Sequence, residues 1–152
     1  MFIIYDLIFL VFAAVYLPVY LLKRKFHKGF LCRLGFLPPN LALNRPIWCH
    51  AVSVGEAMAV KGLVAGLREV YPKKNFVIST VTITGNKIAR GIARENDLAT
   101  YLPLDISFIV SRVIGRIDPA LFIIAETEIW PNLIRYLSLK NIPIVVVNGR
   151  IS

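Results

Sequence analysis

The chain has 152 residues, with 18 Lys and Arg against 9 Asp and Glu, a net charge of +9 and an apolar fraction of 57%. This length suits one domain, and two cysteines are too few for a disulfide framework or a metal site. Zinc spacing, basic–aromatic alternation and homeodomain-like patterns are absent, so we predict an anionic membrane lipid as partner and no nucleic acid.

The first 22 residues form an apolar segment with one charge, Asp6. As a helix, 21 residues span about 31 Å, which matches the hydrocarbon core of a bilayer. A basic cluster, KRK at 23–25, follows the segment, which argues against a signal peptide and keeps the rest of the chain cytoplasmic. We predict a membrane anchor over 1–22. A helix lying on the membrane surface is the alternative, and Asp6 and Pro18 favour it.

Residues 23–46 read as a basic connector and an irregular linker, because prolines recur at 38, 39 and 46. From residue 47 onward, apolar runs alternate with helical patterns. The predicted strands are 47–52, 76–81, 98–102, 120–125 and 142–147, and helices are predicted from residue 56 and over 85–95, 106–117 and 131–140. Continuous apolar strands that alternate with helices are typical of an α/β fold, a Rossmann-like parallel sheet with helices on both faces, which we place at 47–152.

Glu56 follows the first predicted strand, after a turn that contains Ser53 and Gly55. Ligands of open α/β sheets bind outside the carboxyl ends of the strands, so a catalytic carboxylate is expected here. Ser53-Val54-Gly55-Glu56 also fits a capping box, in which Ser53 and Glu56 bond each other's amides. His50 ends the same strand and reads either as a crevice residue or as a satisfied core histidine.

The later strand ends carry further candidates. Thr84 and Gly85 follow the second strand, where hydroxyls and free amides form an anion site unless Thr84 only caps the helix. Glu126 and Glu128 follow the fourth strand, and we favour a functional role over simple acids near a helix N-terminus. Arg150 follows the fifth strand and either binds an anion or pairs with an acid, or is a solvated turn residue.

Taken together, the motifs resemble those of the transferases that add 3-deoxy-D-manno-octulosonic acid (Kdo) to a lipid A precursor. The resemblance covers essentially the whole chain. It rests on RLG at 33–35, HAVSVGE at 50–56, TVTITGNK at 80–87, YLPLD at 101–105, DPALFIIAETEIWPNLI at 118–134 and NGRIS at 148–152.

The resemblance implies the N-terminal half of a GT-B fold, which handles the lipid acceptor (lipid IVA), while a C-terminal domain binds the donor CMP-Kdo. It implies an inverting transfer at the cytoplasmic side of the bacterial inner membrane, with Glu56 as general base and Glu126 assisting the transition state. No cofactor or metal is expected. We predict that substrate is bound by Ser53, Gly55, Thr84, Gly85, Glu128 and Arg150.

The chain ends where the family continues into its donor-binding domain, so we interpret it as a fragment, a split product or a lone acceptor half. The alternative function is a non-catalytic, membrane-tethered module that binds anionic lipid. A third reading is a diverged, inactive paralogue that assembles with a complete enzyme.

Overall fold

The computed structural model describes residues 2–22, 29–126 and 128–147. These residues form six helices, α1 Phe2–Leu22, α2 Phe30–Arg33, α3 Val54–Val70, α4 Ile83–Ile92, α5 Ser107–Ile117 and α6 Pro131–Leu139. They also form five strands, β1 Ile47–Ala51, β2 Phe76–Thr80, β3 Leu98–Tyr101, β4 Leu121–Ile124 and β5 Ile144–Val146. The predicted alternation of strands and helices is confirmed.

The strands of the described ranges form one parallel sheet in the order β3-β2-β1-β4-β5. β1 lies at its centre, where Ile47 pairs with Phe76 of β2 on one side and with Leu121 of β4 on the other. Every residue of β1 and β2 is buried, as expected of strands covered on both faces. Because the strands are parallel, the segments that follow β1, β2 and β4 meet at one edge of the sheet.

Helices cover both faces of the sheet, as predicted. Trp48 and Phe122 point to the face covered by α5 and α6, and their rings meet edge to face with centroids 5.0 Å apart. Cys49 and Ile123 point to the opposite face, where they pack against α3 and α4. This alternation along β1 and β4 divides the interior into two apolar layers.

The last strand is shorter than predicted. A strand over 142–147 was expected from six consecutive apolar residues, but β5 contains only Ile144–Val146. β5 is the edge strand beside β4, and Val145 and Val146 are exposed. A strand paired on one side has less of its surface covered, and a run of β-branched residues does not reveal that position.

Helix α1 forms where the sequence indicates, but the predicted membrane-spanning segment is not supported. No helix in the part of the chain that the structure describes is both long and apolar enough to cross a membrane. Two polar residues of α1 contact the α/β domain: the Tyr5 hydroxyl donates to Asp105 Oδ2 at 3.1 Å, and Asp6 accepts from Ser107 and Asn132.

The linker that follows α2 packs on the domain. Leu34, Leu37, Leu41 and Leu43 join the apolar layer beneath α5, and Arg116 of α5 donates to the carbonyl oxygens of Pro38 and Pro39 at 2.6 and 2.9 Å. The basic cluster at 23–25 lies outside the described residues. The domain boundaries at 22 and 46 stay predictions.

Candidate functional site

The segments after β1, β2 and β4 are joined by hydrogen bonds at the carboxyl edge of the sheet. The amide of Ala125, after β4, donates to the carbonyl of His50 in β1 at 2.9 Å. On the other side, the hydroxyl of Thr82, after β2, donates to the carbonyl of Val52 at 3.4 Å. The candidate residues after these strands are therefore neighbours in space. Arg150 lies outside the described residues, so its predicted role remains a prediction.

Glu56 forms the capping box that the sequence indicates. Its Oε2 accepts from the Val52 amide at 2.7 Å, and its Oε1 accepts from the Ser53 amide at 3.1 Å. Ser53 Oγ in turn accepts from the Glu56 amide at 3.3 Å. The side chain is 9% exposed. An ionised carboxylate has four lone-pair positions and only two are engaged here, so each oxygen can accept one further hydrogen bond.

The hydrogen bonds also determine the charge state of Glu56. Burial raises the pKa of this carboxyl, but the bonds from Ser53 and Val52 outweigh that effect, so that the pKa lies below the ordinary glutamate value. Glu56 is therefore ionised at neutral pH and able to accept a proton.

Glu128 has the opposite electrostatic environment. Burial, followed by the negative charge of Glu56, raises the pKa of Glu128 above its ordinary value. Its Oε2 and the indole Nε1 of Trp130 are both buried, and the interaction with Trp130 offsets only part of the rise in the pKa. The amide of Glu128 donates to the carbonyl of Glu126 at 2.9 Å, which keeps the two acids on one short turn. The charge of Glu56, which follows β1, therefore acts on Glu128, which follows β4.

His50 is a site residue that the sequence left undecided. It is 1% exposed and stacks on Phe122, and its Nδ1 lies 3.1 Å from the Ser79 carbonyl oxygen and 3.0 Å from Ser79 Oγ. A carbonyl only accepts, so we assign the proton to Nδ1. Nε2 is then a buried acceptor without a partner in the described ranges. Burial lowers the pKa of His50 to about 4, so the ring is neutral.

Arg33 is a second residue whose place the sequence did not indicate. Its carbonyl accepts from the Leu104 amide at 2.8 Å, which seats α2 beside the segment after β3. Its positive charge acts on His50 and lowers the pKa of that ring further. The motif RLG was noted in the sequence, but no local pattern links residue 33 to residue 50.

The loop after β2 corrects one prediction. Thr82, not Thr84, caps α4: its Oγ1 accepts from the Gly85 amide at 3.0 Å, and α4 begins at Ile83. Thr84 lies in the first turn and donates to Thr82 Oγ1 at 3.4 Å. Gly85 fits because an added Cβ would come within 2.9 Å of Thr82 Oγ1 and 3.4 Å of Thr80. Binding of an anion here stays a prediction.

No group of three or more His, Cys, Asp or Glu in the described ranges is arranged to hold a metal ion. Burial raises the pKa of Cys49 to about 12, so its thiol stays protonated and packs as a small apolar side chain.

Comparison with known proteins identifies the family. The profile of the family described as 3-Deoxy-D-manno-octulosonic-acid transferase (kdotransferase) matches residues 28–152. The chain belongs to the Kdo transferase family. The match includes the strand-end segments of the carboxyl edge, and it confirms the resemblance found in the sequence.

Kdo transferases from distant bacteria are among the relatives. The chain is 40% identical to a 3-deoxy-D-manno-octulosonic acid transferase of Haemophilus influenzae over 124 residues, which are 82% of this chain and 28% of the relative. It is 33% identical to the transferase of Chlamydophila psittaci over 156 aligned positions, covering 98% of this chain and 36% of the relative. A bifunctional glycosyltransferase/methyltransferase of Fusobacterium nucleatum is 33% identical over 97% of this chain and 23% of its own length.

The chain therefore spans about a quarter to a third of the length of these relatives. What the described residues contain is one α/β domain with two interacting carboxylates at its carboxyl edge.

Proposed function

We propose that this chain is the acceptor-side half of an inverting glycosyltransferase that moves Kdo from CMP-Kdo to a lipid A precursor in lipopolysaccharide biosynthesis. Membership of the Kdo transferase family supports the reaction class. The coverage of the relatives supports a separate donor-binding domain as partner. Both substrates and the partner domain are part of the proposal.

One observation carries the proposal: the Glu56 carboxylate is held at the carboxyl edge by the Val52 and Ser53 amides, which lower its pKa, while burial raises the pKa of Glu128 after β4. Pairs of titratable groups whose environments separate their pKa values are typical of acid–base sites. Glu56, whose pKa is lowered, is ionised at neutral pH, so it is the proton acceptor in this proposal.

The transfer then follows a single displacement. The acceptor hydroxyl oxygen forms a bond to the anomeric carbon of Kdo, and its proton passes to the carboxylate of Glu56. The bond between the anomeric carbon and the phosphate oxygen breaks, and CMP leaves with the electron pair. Attack opposite to the leaving group inverts the anomeric centre. Glu56 performs this step from its cap, because both carboxylate oxygens retain a free lone pair.

The remaining site residues have supporting roles in this proposal. Glu126 assists the transition state, and Glu128 holds the acceptor sugar. Ser53, Gly55, Thr84, Gly85 and Arg150 complete the predicted substrate contacts. The chemistry is assigned no cofactor or metal.

A location at the cytoplasmic face of the bacterial inner membrane completes the proposal. The acceptor carries acyl chains and phosphates, and anionic lipids would attract the basic segment at 23–25. Exposed apolar side chains on α1, at Ile4, Leu7, Ile8, Val11, Phe12 and Val15, suit a helix that lies on a membrane surface.

The test is transfer of labelled Kdo from CMP-Kdo to a lipid A precursor by the purified chain in detergent, alone and mixed with the C-terminal half of a relative. We expect product in the mixture, and none after Glu56→Gln. Glu69→Gln is the matched control, because Glu69 is exposed on the same helix. Retained turnover in Glu56→Gln, with the fold intact, would contradict the proposal.

A second candidate is the non-catalytic, membrane-tethered lipid-binding module, which the complete capping box of Glu56 favours. A binding module tolerates neutralisation of Glu56 and Glu126, whereas an enzyme loses rate and keeps its lipid affinity. Binding to vesicles with anionic lipid, measured beside the transfer assay, separates the two. An inactive paralogue would form no product, whether the chain is assayed alone or in the mixture.

A further inference from the structure

Helices α5 and α6 both begin without a cap from their own N-terminal residue. Their N-cap residues are Ile106 and Trp130, and neither makes a side-chain capping bond. The first turn of a helix leaves backbone amides without intrahelical partners, and buried amides need other acceptors. In this fold the acceptors are aspartates from elsewhere in the chain.

Asp105 caps α6 from the segment after β3. Its Oδ2 accepts from the Asn132 amide at 3.1 Å, and its Oδ1 accepts from the Leu133 amide at 2.9 Å. Because Pro131 has no amide hydrogen, the free donors of this turn are thereby satisfied. Asp105 is 1% exposed, and the Tyr5 hydroxyl donates to its Oδ2 at 3.1 Å.

Asp6 of α1 contacts both helix starts with one oxygen atom. Its Oδ1 accepts from the backbone amide of Ser107 at 3.2 Å and from the side-chain amide of Asn132 at 2.8 Å. A carboxylate at two helix N-termini is also favoured by the helix dipoles. Hydrogen bonds from Ser107 and Asn132 outweigh the effect of burial, so the pKa of Asp6 is lowered and the group is ionised.

Asn132 connects these contacts and is 0% exposed. Its Nδ2 donates to Asp6 and also to the Asp105 carbonyl at 2.7 Å, while its Oδ1 accepts from Ser107 Oγ at 3.2 Å. Every polar atom of this side chain is engaged. We call the five residues Tyr5, Asp6, Asp105, Ser107 and Asn132 the α1 latch.

The α1 latch is adjacent to the carboxylate site along the chain. Asn132 follows Trp130 and Pro131, and Glu128 lies two residues before Trp130. The Trp130 carbonyl accepts the Ile134 amide at 2.9 Å, so the first turn of α6 determines where residues 128–130 enter the edge.

We propose that Asp6 is a positioning residue: by joining the N-termini of α5 and α6, it holds residues 128–130 in place opposite Glu56. The inference rests on the proposed function for its consequence in catalysis. The structural claim, that α1 determines the position of Glu128, is independent of which reaction the site performs.

The experiment compares Asp6→Ala with Asp6→Asn in the full chain in detergent. Asparagine retains an Oδ1 that can accept from both Ser107 and Asn132, whereas alanine removes the acceptor. Ile8→Ala, an exposed position on the same helix, is the control. We expect amide hydrogen exchange at Ser107, Asn132 and Leu133 to become about tenfold faster in Asp6→Ala, and to stay unchanged in the other two variants.

A second readout reports on positioning rather than on helix stability. Because the charge of Glu56 helps to raise the pKa of Glu128, displacement of residues 128–130 should lower that pKa. We expect the Glu128 carboxyl resonance to titrate at lower pH in Asp6→Ala and at the wild-type pH in Asp6→Asn. Unchanged exchange, or unchanged Glu128 titration, overturns the inference.

Activity in the mixed assay separates this inference from the proposed function. We expect the kcat for transfer to fall about tenfold in Asp6→Ala, with the KM for CMP-Kdo unchanged and activity rescued in Asp6→Asn. If the wild-type mixture makes no product while exchange and titration shift as stated, the function fails and the positioning role stands. If transfer is retained at the wild-type rate in Asp6→Ala, the positioning role fails and the function stands.

Discussion

The backbone amide of Val52 donates a 2.7 Å hydrogen bond to the carboxylate of Glu56, four residues later. This contact extends the ordinary capping box by one donor, because Glu56 also accepts from the Ser53 amide. The same carboxylate therefore stabilises the start of α3 and lies at the carboxyl edge of β1. Replacement of Glu56 should therefore lower both the free energy of unfolding and the rate of transfer, and the two effects can be measured separately.

Glu56→Ala should lower the free energy of unfolding by about 1–2 kcal/mol, because the amides of Val52 and Ser53 lose their acceptor. Glu56→Gln should cost less, since its amide oxygen replaces one acceptor. Urea denaturation at pH 7 measures both. Glu69→Ala on the exposed side of α3 should stay within about 0.5 kcal/mol of wild type. A Glu56→Ala variant as stable as this control would contradict the capping role.

Acid should destabilise the fold through His50. Its folded pKa, about 4, lies below the ordinary histidine value, so the unfolded chain binds the proton first as pH falls from about 6.5. The contribution of His50 to the free energy of unfolding is therefore largest above pH 6.5 and declines towards pH 4. We expect His50→Asn, which keeps a donor near the Nδ1 position, to flatten this decline in urea denaturation series between pH 7 and 5.

His27→Asn is the control for this pH dependence, because it removes the other histidine of the chain. It should leave the decline unchanged. If the decline disappears in His27→Asn and persists in His50→Asn, the buried ring is not its source.

The ionisation of Glu128 should make stability depend on pH in the opposite direction. A carboxyl whose folded pKa is raised stabilises the fold when protonated, and this contribution is lost as pH rises through the folded value. Glu128→Gln cannot ionise, so we expect it to gain stability relative to wild type at pH 7 compared with pH 4. Unfolding free energies at the two pH values test this. Glu95→Gln, at an exposed loop position, is the control. If it changes the unfolding free energy between the two pH values as much as Glu128→Gln does, the effect is a nonspecific one of charge and the prediction fails.

Ser79 should be the most sensitive small polar residue of the core. Its Oγ accepts from Trp48 Nε1 at 2.7 Å and lies 3.0 Å from His50 Nδ1, and all three side chains are buried. Ser79→Ala leaves the Trp48 indole without an acceptor, which should cost about 1–3 kcal/mol in urea unfolding. Ser138→Ala, an exposed position on α6, should be nearly neutral. Equal stability of the two variants would argue against this network.

The sheet could be predicted because its signal is local. Apolar runs such as 47–52 and 76–81 indicate buried parallel strands, and the structure places both in the sheet centre. The capping box at Ser53 and Glu56 was predictable for the same reason. Strand β5 was overestimated, because exposure at a sheet edge depends on neighbours that the strand itself does not encode.

The residues that sequence reasoning missed are those whose partners are distant. Asp6 stood out only as a charge in an apolar segment, yet its carboxylate accepts from the Ser107 amide at the start of α5, 101 residues later. His50 is paired through Ser79, 29 residues away. Thr82 and Thr84 are only two residues apart, and the pattern of hydroxyls alone does not show which of them caps α4.

The α1 latch joins residues that are synthesised at widely separated times. Tyr5 and Asp6 leave the ribosome 100 residues before Asp105 and 126 residues before Asn132, respectively. At roughly 5 to 20 residues per second, translation leaves the first helix without its acceptors and donors for on the order of 5 to 25 seconds. During that time the domain that α1 contacts is still incomplete, so α1 is synthesised well before the residues that bind it.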